Sequence, residues 1–501
     1  MKLFINKTDN KKIELLDYLI RQPKEVTISE LISVTGLSDK TIRAIIHDFP
    51  KNPALAPQNV VINYNEVGKI KSIGIINSSL VDIAFYYLEQ SILYVMIKEL
   101  FLNGNLQMEK FCEEHFISSS TFSRYKSKLK SILEQFNLKL LSNLALDGEE
   151  YRIRNFFFLF FSNANSKWLF SEEEYQAIDV SLKSEYFKDF SFDPAQQSMV
   201  RLLIYICKIR NSQGNTIQET LEITLKAGSS YEKIYDDTYH YIENHFSYFD
   251  YKEREAQFLF IFFLRNQMIS PEPYSEDGLS VVIKSIENLK EAFEKSSQFL
   301  TDEIITHFFK DNEAISPMIY YKVSTFLLYA ASSFCDSRSF LYIYDFDVYY
   351  SKTNYEQQII EKVKLIIRKI VKQFPDNPFV VLVKDIDREE AFENQLFLLV
   401  YSLLSKQKKY KIIKVKVYVQ NSKVYIADIL KRQIKDMFLE NVEIVDRYSE
   451  DIDVFVSDKE YMEENTTNKV YVPTFSDAHY LDAMFGAIAS KVEATIGSQV
   501  L

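Results

Sequence analysis

Between Ser118 and Lys130 the chain gathers four basic residues, Arg124, Lys126, Lys128 and Lys130, and no acidic one. The whole chain carries 59 Lys and Arg against 70 Asp and Glu, a formal charge of −11, so this segment reverses the prevailing sign. Its other polar members, Ser119, Ser120, Thr121 and Ser123, are short. Phe122, Tyr125 and Leu129 recur at helical spacing, with Ile132 and Leu133 behind them, and predict one buried stripe. A helix built this way offers hydroxyls and cations opposite an apolar face, which is what entering a major groove and neutralising phosphates requires. A cationic helix face is more often merely solvated. Its neighbours decide otherwise: a short helix is predicted before it, from Leu106 to His115, and a hairpin after it, pairing Leu138–Leu141 with Leu144–Leu146.

A weaker version precedes it. Lys40, Thr41, Arg43 and His47 are the outward candidates on a helix that Ser38 opens and that runs to about His47, although Asp39 opposes phosphate contact. Thr27 caps the short helix before it and Gly36 ends that helix. A first helix around Ile13–Ile20 stops before Pro23. Two β-prone runs, Val60–Tyr64 and Lys69–Ile75, flank Asn65-Glu66-Val67-Gly68 and predict a wing from which Lys69 and Lys71 would meet phosphate. A long helix over about 86–104 then starts the second copy of the same order.

At 501 residues the chain exceeds any single ordinary core, and 47% hydrophobic with 15% aromatic residues gives ample apolar area to bury. From about Phe156 to Ser337 the pattern is helical. After a helix at about Glu356–Phe374, strands near Ile412–Val419, Val442–Val445, Asp453–Val456 and Val470–Pro473 alternate with helices, which predicts a small α/β domain. Cys112, Cys207 and Cys335 form no CxxC pair, so no metal site or disulfide framework is expected. No P-loop, HExxH or GxSxG motif is present, and the expectation is a non-enzyme without cofactors. The start, Met1 to Lys7, turns polar at once and no apolar run reaches ~18 residues, so no membrane insertion and a cytoplasmic setting are expected.

The stretch Phe101-Leu102, Glu109-Lys110-Phe111-Cys112, Ile117 through Tyr125, Leu138-Lys139-Leu140 and Leu146-Asp147-Gly148-Glu149 with Arg152-Ile153-Arg154 resembles the Mga/AtxA family of bacterial virulence regulators. Leu37-Ser38-Asp39-Lys40-Thr41-Ile42-Arg43 is similar to that family's leading helix-turn-helix. The resemblance implies a mainly α, multidomain chain: winged helix-turn-helix modules at 1–85 and 86–160, helical phosphotransferase-system regulation domains at 161–276 and 277–390, and an enzyme-IIB-like α/β domain at 391–501. It also implies an activator, sometimes a repressor, acting as a homodimer through the last domain on double-stranded, A/T-rich promoter DNA of virulence or carbohydrate-responsive genes. Phosphotransferase-system proteins are implied partners.

The regulation domains depart from the family pattern. Leu203 and Phe262 stand where the pattern has histidines, and Tyr320 to Phe334 contains none. His240, His245 and His307 remain as non-standard candidate phosphate acceptors. No cysteine follows the first strand of the last domain, where Val419-Gln420-Asn421-Ser422 stands, so that domain is expected to be an assembly surface. Two other readings compete: a non-catalytic protein–protein module linked to the sugar phosphotransferase system, and an RNA-binding antiterminator, which a groove-type helix argues against.

Overall fold

The computed structural model describes residues 4–21, 26–48, 60–64, 70–75, 80–134, 136–164, 168–187, 192, 194–218, 225, 227–265, 290–309, 316–330, 354–375, 377, 386–405, 414–449, 451–459, 469–473 and 478–500. The architecture is mainly helical with one small parallel sheet and two short hairpins. It divides into two compact units, Met1–Lys295 with Ser324–Val348 and Asp376–Ala391, and Ser296–Val323 with Tyr349–Pro375 and Phe392–Leu501.

The first unit opens with α1 (Lys7–Arg21), α2 (Ile28–Thr35) and α3 (Asp39–Asp48), followed by β1 (Val60–Tyr64) and β2 (Ile70–Ile75), which pair antiparallel. Thr27 caps α2 reciprocally: its hydroxyl accepts from the Glu30 amide at 3.2 Å, and its own amide donates to the Glu30 carboxylate at 2.5 Å. Gly36 ends α2 in the left-handed region at φ 67°.

The helix expected over 86–104 is in fact two, α4 (Leu80–Glu89) and α5 (Ile92–Asn103). Ser91 makes the break. Its side chain caps α5 through the Tyr94 amide and donates to the Phe4 carbonyl, so hydroxyl chemistry overrides an unbroken apolar period. There follow α6 (Met108–Glu114), α7 (Ser119–Glu134), β3 (Lys139–Leu140) and β4 (Leu146–Asp147). The second hairpin is shorter than expected, two residues to each strand.

Next come α8 (Glu150–Ala164), α9 (Glu172–Leu182), α10 (Pro194–Ser212), α11 (Ser230–His245) and α12 (Lys252–Arg265). The run Phe156–Phe161 is core. Phe101 of α5 packs against Phe157 at 5.0 Å, Phe161 at 5.2 Å and Tyr205 of α10 at 5.7 Å between ring centroids. Aromatic packing thus binds the second winged module to the helices behind it.

Later in the chain lie α13 (Lys290–Ile304), which leads into a π-helical turn at Ile305–Phe309, then α14 (Ser316–Ala330), α15 (Asn354–Gln373) and α16 (Ile386–Ser405). The sheet of the second unit takes the order β6-β5-β7-β8, all parallel, from β5 (Val415–Gln420), β6 (Val442–Val445), β7 (Val454–Ser457) and β8 (Lys469–Tyr471), with α17 (Val424–Phe438) and α18 (Ala478–Val500). Val415, Val417 and Val419 are buried and alternate with half-buried residues, as a period of two requires. Cys335 falls outside the described residues.

Candidate nucleic-acid interface

Ser118 is the hinge of the site. Its hydroxyl accepts from the Thr121 amide at 3.1 Å and lies 2.8 Å from the Ser120 hydroxyl, while its carbonyl accepts from the Phe122 amide at 2.9 Å. This cap opens α7 with Ser119 and Ser120 exposed at its start. Just before it, Phe116 adopts φ 52°, with the Ile117 amide bonded to the Cys112 carbonyl and the Phe116 amide to that of Glu113. That is a Schellman ending, with phenylalanine where glycine is usual.

The first module repeats the device residue for residue. Gly36 occupies the left-handed position, Ser38 follows two residues later, and the Ser38 hydroxyl accepts from the Thr41 amide at 3.2 Å. Gly36-Leu37-Ser38 with Thr41-Ile42 therefore corresponds to Phe116-Ile117-Ser118 with Thr121-Phe122. The turn and cap are the shared core of both modules, which otherwise have little residue identity.

Phe122, Leu129, Ile132 and Leu133 are buried along α7, and Phe122 meets Phe111 of α6 edge to face at 5.5 Å. Tyr125, expected in the same stripe, is only half-buried, and the Arg124 guanidinium lies 5.3 Å from its ring centroid. On the outer side Ser119, Ser120, Ser123, Arg124, Lys128 and Lys130 are exposed, whereas Thr121 and Lys126 are half-buried. Desolvation lowers the Lys128 ammonium from its ordinary value. The structure therefore gathers every candidate of the second module on one helix, with its polar face turned to solvent.

The first module is less available. Arg43 pairs with Asp39 at 2.8 Å across one helical turn, and the Thr41 hydroxyl lies 2.8 Å from that of Ser38. Lys40 and His47 are exposed. Lys71 stands on β2, and Lys69 lies outside the described residues.

The histidine candidates do not form one site. His240 and His245 are exposed on α11, with ring centroids 6.4 Å and 6.3 Å from that of Tyr186; the His240 Nδ1 also lies 3.3 Å from Glu243. His307 belongs to the other unit, where its Nε2 is 3.2 Å from both Glu303 Oε2 and Lys369 Nζ. Leu203 and Phe262, at the places where the family pattern has histidine, are buried core residues. In the last domain the turn after β5 is filled from within: the Asp458 carboxylate accepts from the Ser422 amide at 3.1 Å and from its hydroxyl. Despite desolvation, these bonds hold that carboxyl below its usual range.

Among the described residues one group brings three possible metal-ligand atoms together, Glu99, Glu114 and His115, all within 4.8 Å. Its charges are met within the protein, since His115 Nε2 lies 2.8 Å from Glu99 Oε1 and Lys110 lies 3.7 Å from Glu114. The pair pins the end of α6 to α5. No described helix is long and apolar enough to cross a membrane.

Sequence reasoning missed two contributors here. Phe116 in the turn carries no spacing signal, being apolar yet 95% exposed. The other is a set of buried ionic residues behind the module, Glu150, Arg154, Arg210 and Glu255, whose pairing joins residues distant in sequence.

Comparison with known proteins bears on this region. Residues 76–161 match the Mga helix-turn-helix domain model. A Streptococcus pneumoniae serotype 4 protein named "Putative trans-acting regulator" is 25% identical over 207 residues, which is 40% of this chain and 41% of the relative's own length. The matched domain contains α6, α7 and the second hairpin, the elements that present the basic face. Residues 76–161 thus carry a helix-turn-helix domain of the Mga type, and the chain is similar over part of its length to a protein named as a regulator.

Proposed function

We propose that the chain is a transcription regulator, acting mainly as an activator, that binds A/T-rich promoter duplex as a homodimer with α7 in the major groove. The observation that carries this is the outer face of α7 from Ser119 to Lys130: four cations and a run of hydroxyls with no carboxylate, on a capped helix inside the matched helix-turn-helix domain. Ser119, Ser120, Thr121 and Ser123 would lie nearest the bases, and Arg124, Lys126, Lys128 and Lys130 on the phosphates. Serine and lysine read bases weakly, so choice of site falls largely to groove shape, which suits A/T-rich DNA. The first module, with Lys40, Thr41, Arg43, His47 and the wing lysines Lys69 and Lys71, adds an auxiliary grip, weakened because Arg43 is already paired. The genes served are those of virulence or carbohydrate response, and the layout at 1–85, 86–160, 161–276, 277–390 and 391–501 belongs to the same proposal.

Dimerisation is assigned to the last domain. Tyr425, Ile429, Met437 and Leu439 on and just after α17 leave large apolar side chains exposed, 83% in the case of Tyr425, which favours a covering partner.

The test is fluorescence anisotropy on A/T-rich promoter duplexes across a salt series. Binding should be sub-micromolar and fall steeply with salt, and replacing Arg124, Lys126 and Lys128 together with Ala should remove most of it and flatten the salt slope by about 3, one per lost phosphate contact. Unchanged binding by the triple variant would overturn the site. If no duplex is retarded and a phosphotransferase-system component co-purifies instead, the protein–protein reading takes its place.

A further inference from the structure

The winged module of α7 is entered at the C-terminal end of α5 and left at the N-terminal end of α8. Both ends are held by the last turn of α10, a helix outside the module. Arg210 of α10 donates from Nε and Nη2 to the Glu150 carboxylate at 2.9 and 2.8 Å, and Glu150 is the first residue of α8. Arg210 Nη1 also donates to Gln213 Oε1 at 3.2 Å. Gln213 Nε2 in turn donates to the carbonyls of Phe101 and Leu102 at 2.8 and 3.1 Å. These are among the carbonyls that the end of a helix leaves without an internal partner.

Gly104, left-handed at φ 77°, closes α5, and a Cβ there would come 3.5 Å from the Gln213 amide, which packs against this cap. Directly beyond, Asn105 bridges Ala145 and the Leu106 amide donates to the Leu144 carbonyl at 3.2 Å, which sets the base of the second hairpin. The chain then passes into α6 and α7.

Behind the clamp lies a balanced ionic group. The fully buried Arg154 donates from Nε to Glu150 at 3.0 Å and from Nη2 to Glu255 of α12 at 2.9 Å and to the Asn215 carbonyl at 3.1 Å. Asn211 of α10 also donates to Glu255, at 3.1 Å. Two guanidinium groups and two carboxylates thus join α8, α10 and α12 with no net charge. In a dry interior such a network holds its geometry sharply, because a displaced partner leaves a buried charge unmet.

We propose that Arg210 and Gln213 form a clamp through which the helices α9–α12 set the affinity of the α7 module for DNA, with Gln213 as a positioning residue for the second hairpin and α7. The proposal rests on the reading that α7 binds duplex DNA, and movement of α10 is the route by which a signal received among those helices reaches the groove. Coupling of this kind needs an element whose position both sites bias, and α10 grips both ends of the module.

The experiment uses the full chain carrying Gln213→Met or Gln213→Ala, a half-buried position whose change removes one acceptor of Arg210 Nη1 and leaves the pairing of Arg210 with Glu150 in place. Three quantities are read: thermal midpoint, affinity for a 30-base-pair A/T-rich duplex over a salt series (about three helical turns), and hydrogen exchange at the Leu106 and Leu141 amides. Both variants should bind at least about fivefold more weakly, keep the parental salt slope because the phosphate contacts remain, and exchange those amides at least about tenfold faster with the thermal midpoint unchanged. Parental affinity and parental exchange in both variants would overturn the clamp. Faster exchange in a chain whose unsubstituted form binds no duplex would support the clamp and overturn the DNA reading instead.

Discussion

Among the described residues Arg154 is the largest fully buried side chain, and its charge survives there because two carboxylates face it. Burial works against the guanidinium, and Glu255 and Glu150 more than offset that cost, raising it above its ordinary range. Arg154→Met should therefore destabilise the first unit by about 3–5 kcal/mol, since Glu255 would be left buried without its counter-charge; urea unfolding followed by tryptophan fluorescence at Trp168 measures it. Cys207 shares this interior, and burial pushes its thiol up to about 12, so it is a packing residue and not a nucleophile. Phe116 presents the opposite case. It spends a left-handed conformation on a ring that is 95% exposed. Phe116→Gly should raise stability by about 0.5–1 kcal/mol, the relief of left-handed strain being partly cancelled by the freedom glycine gives the unfolded chain; an unchanged or lower thermal midpoint would contradict this. If DNA affinity falls in that variant, the ring takes part in binding.

At the scale of elements, the caps determine where the helices of both modules begin. Ser118→Ala removes the acceptor for the Thr121 amide and should cost about 1 kcal/mol, with fraying of the turn that carries Ser119 and Ser120. Amide exchange at Thr121 would report it directly. These caps, and the alternation of Val415, Val417 and Val419, were legible in the sequence because they are local: a serine three residues before a threonine, a period of two. The break at Ser91 was not, because its cause lies partly at the Phe4 carbonyl, 87 positions away. The pairing of Arg154 with Glu255 spans 101 positions and leaves no periodic trace either. Arg43 was readable as a cation and Asp39 as an opponent of phosphate, but that the two pair with each other depends on rotamers that spacing alone does not choose.

For the whole molecule, a formal charge of −11 repels DNA at long range, so a single basic helix must work locally and against its own background. In the proposed homodimer, two copies on one duplex would ease this, since the second engagement becomes intramolecular and gains effective concentration. Assembly would then be part of affinity, with α17 as the proposed contact. Its exposed Tyr425 and Met437, with Leu439 just beyond, flank Arg432 and Asp436, which pair with each other at 2.8 Å. A self-complementary face of this kind suits a two-fold interface, where each residue meets the partner's copy of another. Replacing Tyr425 and Met437 together with Glu should convert the protein to monomer in light scattering, because each protomer would have to desolvate two carboxylates in the interface. Promoter affinity should then fall by at least tenfold while the thermal midpoint stays put, as both side chains are already in water in the single chain. A dimer that survives this double substitution would move the interface elsewhere and leave α17 free for a different partner.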